Sequence, residues 1–553
     1  MKRAPRYTAA LPEQSFTADW TSLMRTFIKP DSDTCRSAMM KYMEQIIFEL
    51  HDFLSRNVGI TSQTSLKELA TAFSDTRIPD QPEQKLSRVI KEIIDDLAPN
   101  AVNVASPYFV GHMTSAIPFF MLPLKVIVTA LNQNVVKLET SKAVSLLERQ
   151  TLARIHRLIY EKPADFYATH AQNTATTLGG FTDGGTAANM TALWVARNRA
   201  FGPVNGFDGI EAEGLIRAYA AHDVDRSVIL VSRRGHYSLR KIPGILGIGN
   251  KNVIPIAVDA HNRTDVAEME RAIETYTTPS ARTKIIAVIG IAGSTETGCV
   301  DDLHRLADIC QAHDIHFHVD AAWGGPTLMS DTYAHLLSGV ERADSVTIDG
   351  HKQFYMPMGC GMVMFRNPEH MNAIAYHANY VNRRGSVDLG IKSIAGSREA
   401  NSLILASALN IMGRKGYGLL IDHGIELARE FADLIRAHAL FELTSAPELN
   451  ILTYRVCPPA FKAALDTDDA DQRIAVDRML NEINRNIQRI QRENGKSFVS
   501  RTAFQHPDAP DEKRVVLRSV LMNPMTDIQI LKTVLDEQVA IFNAHFSGIT
   551  PPV

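Results

Sequence analysis

Between Ser106 and about Met412, short runs rich in β-branched residues alternate with stretches of helical periodicity. The runs are Ser227–Val231, Lys284–Ile289, His316–Val319 and Ser345–Ile348. Few folds are open to such a chain. A strand that leads into a helix returns to its sheet in parallel, and the helices then cover both sheet faces. An α/β domain with a mostly parallel sheet is predicted over residues 106–414. Before it, apolar residues recur at three and four spacings in Ser37–Phe53 and Ser65–Phe73, which predicts a helical arm over residues 1–105. After it, a long helix near Leu419–His438, strand-like Asn450–Val456 and Arg514–Leu521, and a last helix capped by Thr526 predict a small α+β domain over 415–553. No internal repeat is visible, and Gln505–Lys513 reads as loop.

The 553 residues exceed one ordinary core, so more than one domain is expected. With 45% hydrophobic and 22% charged residues and a net charge of -3, nothing favours a polyanionic partner such as nucleic acid. The five cysteines contain no CxxC pair, which speaks against a metal centre or a disulfide framework and for a reducing cytoplasm. The N-terminus lacks the apolar core of a secretory signal. Ala116–Leu131 is too short to span a bilayer comfortably and carries Pro118, Pro123 and Lys125, so it reads as a buried segment.

Four motifs sit where predicted strands end or helices begin, the edge at which open α/β sheets hold ligands. In Thr182-Asp183-Gly184-Gly185-Thr186 the glycines let the backbone approach an anion, Thr186 offers a hydroxyl, and the following helix offers N–H groups, which suits a phosphate. A glycine turn before an ordinary helix gives the same string. His236, in Arg234-Gly235-His236, follows a strand and could lie flat on a heteroaromatic ring, or be an unremarked loop histidine. Asp320 leaves an apolar strand in His318-Val319-Asp320-Ala321-Ala322. A buried acid needs a cation, and a protonated ring nitrogen is one, although Asp320 could also cap a turn. Ala322 leaves room for a flat ring. Lys352 ends Asp349-Gly350-His351-Lys352, before a Met-Pro-Met-Gly-Cys-Gly run that reads as flexible. Most lysines are solvated surface charges, but one in a partly dry site becomes a carbonyl nucleophile. The order of all four motifs favours the second reading.

At these residues the chain resembles the group II pyridoxal-phosphate decarboxylases, over roughly Ser106–Arg414, with its length and opening segment most like the bacterial aspartate and glutamate branch. The resemblance implies a fold-type I, aspartate-aminotransferase-like homodimer with active sites at the subunit interface. Pyridoxal 5'-phosphate would be the cofactor and an amino acid the small-molecule substrate. Carried over residue by residue, it implies Gly185 and Thr186 at the phosphate and His236 stacked on the ring. Asp320 would face the ring nitrogen, Ala322 the ring plane and Ser294 the phenolic oxygen, with His351 and Lys352 as the His-Lys pair. Tyr380 would be the acid of a mobile catalytic loop. Asn132, in Asn132-Gln133-Asn134, and Arg398 would meet the substrate, with Arg398 on its carboxylate. Ser397 stands where the family has a glycine, and the loop between Tyr380 and Arg398 is short, so the substrate contacts are the least determined part.

Catalysis would thus rest on Lys352, Tyr380, His236 and Asp320. The expected reaction is α-decarboxylation of an acidic L-amino acid, aspartate to β-alanine or glutamate to 4-aminobutyrate. Arg383, Arg384 and Lys137 are further cations for a second carboxylate. The four cofactor motifs are also compatible with another fold-type I reaction, or with a silent dimer that keeps the cofactor for structure alone.

Overall fold

The computed structural model describes residues 19–24, 33–56, 60–378, 385–506, 508–509 and 511–552. Its centre is a seven-stranded sheet of β1 (Gly179–Thr182), β2 (Arg226–Ser232), β3 (Val253–Ile256), β4 (Thr283–Ile291), β5 (His316–Asp320), β6 (Ser345–Asp349) and β7 (Gly361–Phe365), in the order β1-β7-β6-β5-β4-β2-β3. Only β7 runs antiparallel to the rest. The four predicted strands all form, each one to three residues longer than its β-branched core. Strands β5, β6 and β7 are buried at every position, as a sheet covered on both faces requires.

The sequence pattern misses β1, β3 and β7. Gly179-Gly180 and Gly361 hide two of them, because glycine has low strand propensity; here close approach demands it. A Cβ on Gly361 would lie 2.5 Å from the Gly184 carbonyl carbon. The run after Lys352 is anchored at both ends, where Met356 and Cys360 are buried, and exposed between them at Met358, and β7 begins at Gly361.

A second sheet, wholly antiparallel, has the order β10-β11-β9-β8, with β8 at Phe441–Ser445, β9 at Ile451–Val456, β10 at Ser500–Gln505 and β11 at Lys513–Val520. Helices Asn401–Ala437, Ala470–Asn494 and Ile528–His545 pack on it around a separate apolar cluster that includes Phe431, Tyr454 and Leu480. The first of these leaves helical geometry at Gly413 (φ 64°, ψ 175°). The last helix is capped by Asp527, whose side chain accepts from the Ile530 N–H; Thr526 instead donates its hydroxyl to the Pro107 carbonyl. In the N-terminal part Ser65 and Glu68 close a capping box on helix Leu66–Ala72, beyond the longer helix Asp33–Arg56.

The stretch 116–131 is not buried throughout. It becomes helix Met121–Leu131, with Met121 and Val128 in the core but Phe119, Leu122, Val126, Ile127 and Leu131 exposed. Hydrophobicity marks both faces of this helix alike, and the chain covers only one. Among the described residues no helix is long and apolar enough to cross a membrane.

Candidate active site

The C-terminal ends of the parallel strands meet at a cavity of about 500 Å³. Seven of the residues singled out by sequence line it: Gly185, Thr186, His236, Asp320, Ala322, His351 and Lys352. Helix Gly185–Ala200 starts there without a side-chain cap, so its first N–H groups are available to an anion. A Cβ on Gly185 would stand 2.8 Å from Asp349 Oδ2 and 3.3 Å from Ala322 Cβ, so glycine keeps that corner open.

Asp320 is buried and makes no ion pair among the described residues; it accepts from Asn189 Nδ2 at 3.0 Å and from the Ala322 N–H at 3.2 Å. A buried carboxylate that faces the cavity suits a cationic ligand. His236 holds Nδ1 2.8 Å from Ser238 Oγ, and burial lowers its pKa against the pull of Asp320, which favours a neutral ring. Lys352 Nζ is 3.0 Å from Asp349 Oδ2. His351 donates from Nδ1 to the Cys360 carbonyl at 2.7 Å, which leaves Nε2 3.8 Å from that same carboxylate oxygen. Asp349 Oδ1 is buried and has no hydrogen-bond partner among the described residues.

A family model described as the pyridoxal-dependent decarboxylase conserved domain matches residues 68–457. The chain belongs to the pyridoxal-dependent decarboxylase family. An aspartate 1-decarboxylase of Aliivibrio fischeri is 44% identical over 97% of this chain and 96% of its own length. An L-2,4-diaminobutyrate decarboxylase of Acinetobacter baumannii is 27% identical over 74% of this chain and 78% of its own. Among solved structures, the glutamate decarboxylase domain of a diaminobutyrate–pyruvate transaminase and L-2,4-diaminobutyrate decarboxylase from Vibrio parahaemolyticus superposes with a TM-score of 0.79 at 21% identity, covering 95% of this chain and 100% of that one. Its fold is thus that of the fold-type I pyridoxal-phosphate enzymes, and this protein is a pyridoxal-phosphate-dependent amino-acid decarboxylase.

The cavity fits the family's cofactor on its own terms: an uncapped helix start for a phosphate, a buried acid without a protein cation for a ring nitrogen, and a lysine at the end of β6 for an aldehyde. Other expected residues lie elsewhere. Ser294 is buried with its hydroxyl 2.7 Å from Thr297 Oγ1, whereas its neighbour Thr295 lines the cavity. Asn132 is an exposed C-cap in the left-handed region (φ 47°) outside the cavity; it is Asn134 whose Oδ1 accepts from the Arg398 N–H. Arg398 lines a separate, smaller cavity, where both its Nη atoms engage the buried carboxylate of Glu148. Lys137 pairs with Glu139 at 2.9 Å. Tyr380, Arg383 and Arg384 lie outside the described residues.

Several cavity residues escape the sequence reading, His112 and Lys241 among them, and two bear on the chemistry. Asp349 is one, and its signal was position: the last residue of a buried strand, three before the lysine. Arg518 is the other, a charge in the buried half of strand β11, after Val515-Val516-Leu517. Its guanidinium donates to Ser500 Oγ (2.9 Å) and to the carbonyls of Thr295 (2.7 Å) and Gly111 (3.1 Å), and makes no ion pair among the described residues. Burial lowers its pKa to about 10.

Proposed function

We propose that this decarboxylase acts on an acidic L-amino acid, with L-aspartate the preferred substrate, giving β-alanine and carbon dioxide. The observation that carries the reading is similarity to an aspartate 1-decarboxylase over nearly the full length of both chains. It gains support from Arg518, a cation in the cavity that pairs with no carboxylate among the described residues, and which suits a carboxylate of the substrate. Arg518 takes this role in place of Arg398, whose charge is engaged by Glu148. Asn132 keeps a proposed place at the substrate only as part of a site shared between two chains.

Bound in this cavity, pyridoxal phosphate supplies an electron sink for the pair left when carbon dioxide departs. Lys352 Nζ is the amine that holds its aldehyde carbon, and Asp349 holds that amine in place beforehand. The N–H groups of Gly185 and Thr186 bind its phosphate, with His351 beside them. His236 and Ala322 would flank the ring, Thr295, which lines the cavity, would offer its hydroxyl in place of Ser294, and the fixed charge of Asp320 would keep a proton on the ring nitrogen. Tyr380 delivers a proton to the substrate Cα.

A homodimer completes this reading. The exposed apolar residues Phe119, Leu122, Val126 and Ile127 form a patch that a second copy of the chain would cover, and sedimentation is expected to give the mass of two chains. Four buried, unpaired cysteines suit the cytoplasm. The division at residues 105 and 414 belongs to the same proposal, with the break at Gly413 beside the second limit.

The decisive assay supplies the cofactor-loaded protein with aspartate, glutamate, 2,4-diaminobutyrate and aromatic amino acids and measures carbon dioxide and amine. Aspartate is expected to give the highest kcat/KM. A higher value for any other amino acid overturns the substrate, and absence of carbon dioxide from all of them overturns the reading.

A further inference from the structure

Behind Asp320 runs an unbroken line of buried polar groups. The pleat of β5 puts His316, His318 and Asp320 on one face, and the register places Ser345 of β6 beside His318. Asp320 Oδ2 is 3.0 Å from Asn189 Nδ2, and Asn189 Oδ1 is 3.0 Å from His318 Nε2. His318 Nδ1 is 2.9 Å from Ser345 Oγ, which is 2.8 Å from His316 Nε2; His316 Nδ1 is 3.3 Å from Arg199 Nη1. Asn189, His318 and Ser345 are almost wholly buried, and Arg199 reaches the surface.

The protons on this line are determined by its two ends. A carboxylate only accepts, so Asn189 must turn its amide nitrogen to Asp320 and its oxygen to His318. His318 then donates from Nε2 and accepts at Nδ1 from the Ser345 hydroxyl. That hydroxyl, having donated, accepts from His316 Nε2. His316 Nδ1 is left as an acceptor and faces a guanidinium that only donates. Every bond points the same way, from the Arg199 cation toward Asp320. Burial agrees with neutral rings: it lowers the pKa of His318 to about 4, against the pull of Asp320, and that of His316 to about 3, with Asp344 opposing and Arg199, His318 and His370 assisting.

We propose that Asn189, His318, Ser345 and His316 are positioning residues: a one-way hydrogen-bond relay, anchored at Arg199, that orients Asp320 and stabilises its carboxylate form, so that the proton it shares with the cofactor's ring nitrogen stays on the nitrogen. Aligned hydrogen bonds polarise one another in a low dielectric, so cutting any link weakens the field at Asp320 without touching substrate. The inference rests on Asp320 as the ring-nitrogen partner and goes beyond it, since it assigns residues that never reach the cavity a part in the chemistry.

The test uses full-length protein loaded with cofactor labelled with ¹⁵N in the ring, whose nitrogen shift reports protonation directly. His318→Gln keeps a donor near the Nε2 position, whereas His318→Asn places its amide near Nδ1 and loses the bond to Asn189. The asparagine variant is expected to shift the ring nitrogen toward its unprotonated resonance at neutral pH, as the shared proton moves toward Asp320, and to lose about tenfold in kcat with KM within about twofold. The glutamine variant is expected to restore most of both. Ser345→Ala, a smaller change that cuts the line one bond further out, is expected to shift the ring nitrogen in the same direction and carries the test if His318→Asn does not fold. Asp320→Asn is the reference. If it moves the nitrogen resonance and neither His318→Asn nor Ser345→Ala does, the relay is overturned and the role of Asp320 stands. If Asp320→Asn itself leaves the resonance unmoved, both fall.

Discussion

Two buried arginines stand in opposite situations. Arg398 lies beside the helical layer near β1, and its guanidinium meets Glu148 through both Nη atoms; both side chains are nearly inaccessible, at 6% and 1%. Arg518 lies on β11 at the mouth of the cofactor cavity and is held only by two carbonyls and a hydroxyl. Both are equally fixed in space, but only one has its charge answered. Burial and rigidity therefore do not identify a substrate-binding arginine; an uncompensated charge facing a cavity does. The Glu148 pair has the signature of a strut, the Arg518 cradle that of a receptor.

The sharpest way to break this contrast is Arg518→Met. Loss of a buried charge that pairs with a ligand costs several kcal/mol, so kcat/KM for aspartate is expected to fall about 10²-fold or more while the Tm falls by only a few degrees. A kcat/KM within threefold of wild type would assign the substrate to another cation. Next in size, Arg398→Met strands the Glu148 carboxylate in a dry site. A loss of about 3–5 kcal/mol of stability is expected, read from the denaturation midpoint, with KM changed less than threefold. Adding Glu148→Leu should recover most of that loss, because no charge is then left unpaired. A double variant no more stable than the single one would mean that Arg398 does not act as a strut.

The smallest effect concerns acid. Neither arginine titrates near neutrality, so mild acid reads the buried histidines, those behind Asp320 together with His156 and His370, whose pKa burial also lowers to about 4. Their pKa values of about 4 and about 3 lie below the ordinary 6.5, so between those values the folded chain binds fewer protons than the unfolded one. Their contribution is complete above about pH 6.5 and declines as pH falls toward 4. The Tm is expected to be about 5 °C lower at pH 5 than at pH 7. A flat or rising Tm over that interval would show that these rings carry protons in the fold.

The site was legible wherever chemistry lay close in sequence to a strand end. Asp320 and Lys352 close or follow strands whose pattern is plain, Gly185 and Thr186 open a helix after a glycine turn, and the cavity gathers them. Legibility ended where a residue's meaning depended on a distant partner. Arg398 and Arg518 are both arginines near apolar segments, and only Glu148, 250 positions from Arg398, separates their roles. Ser294 and Thr295 are adjacent hydroxyls, and the turn after Gly293 decides which one faces the cavity.

By itself the sequence determined the alternating α/β architecture and the order of the cofactor motifs, because strand periodicity and glycine or charge at a strand's end are local properties. Tertiary structure alone decided which charges were already answered, which face of helix Met121–Leu131 the chain leaves bare, and how His316, Ser345, His318 and Asn189 join into one line behind Asp320. Those are facts of pairing across the fold. A residue's type and neighbours in sequence set what it can donate, accept or bury, but its partner is chosen only when the strands and helices close on one another.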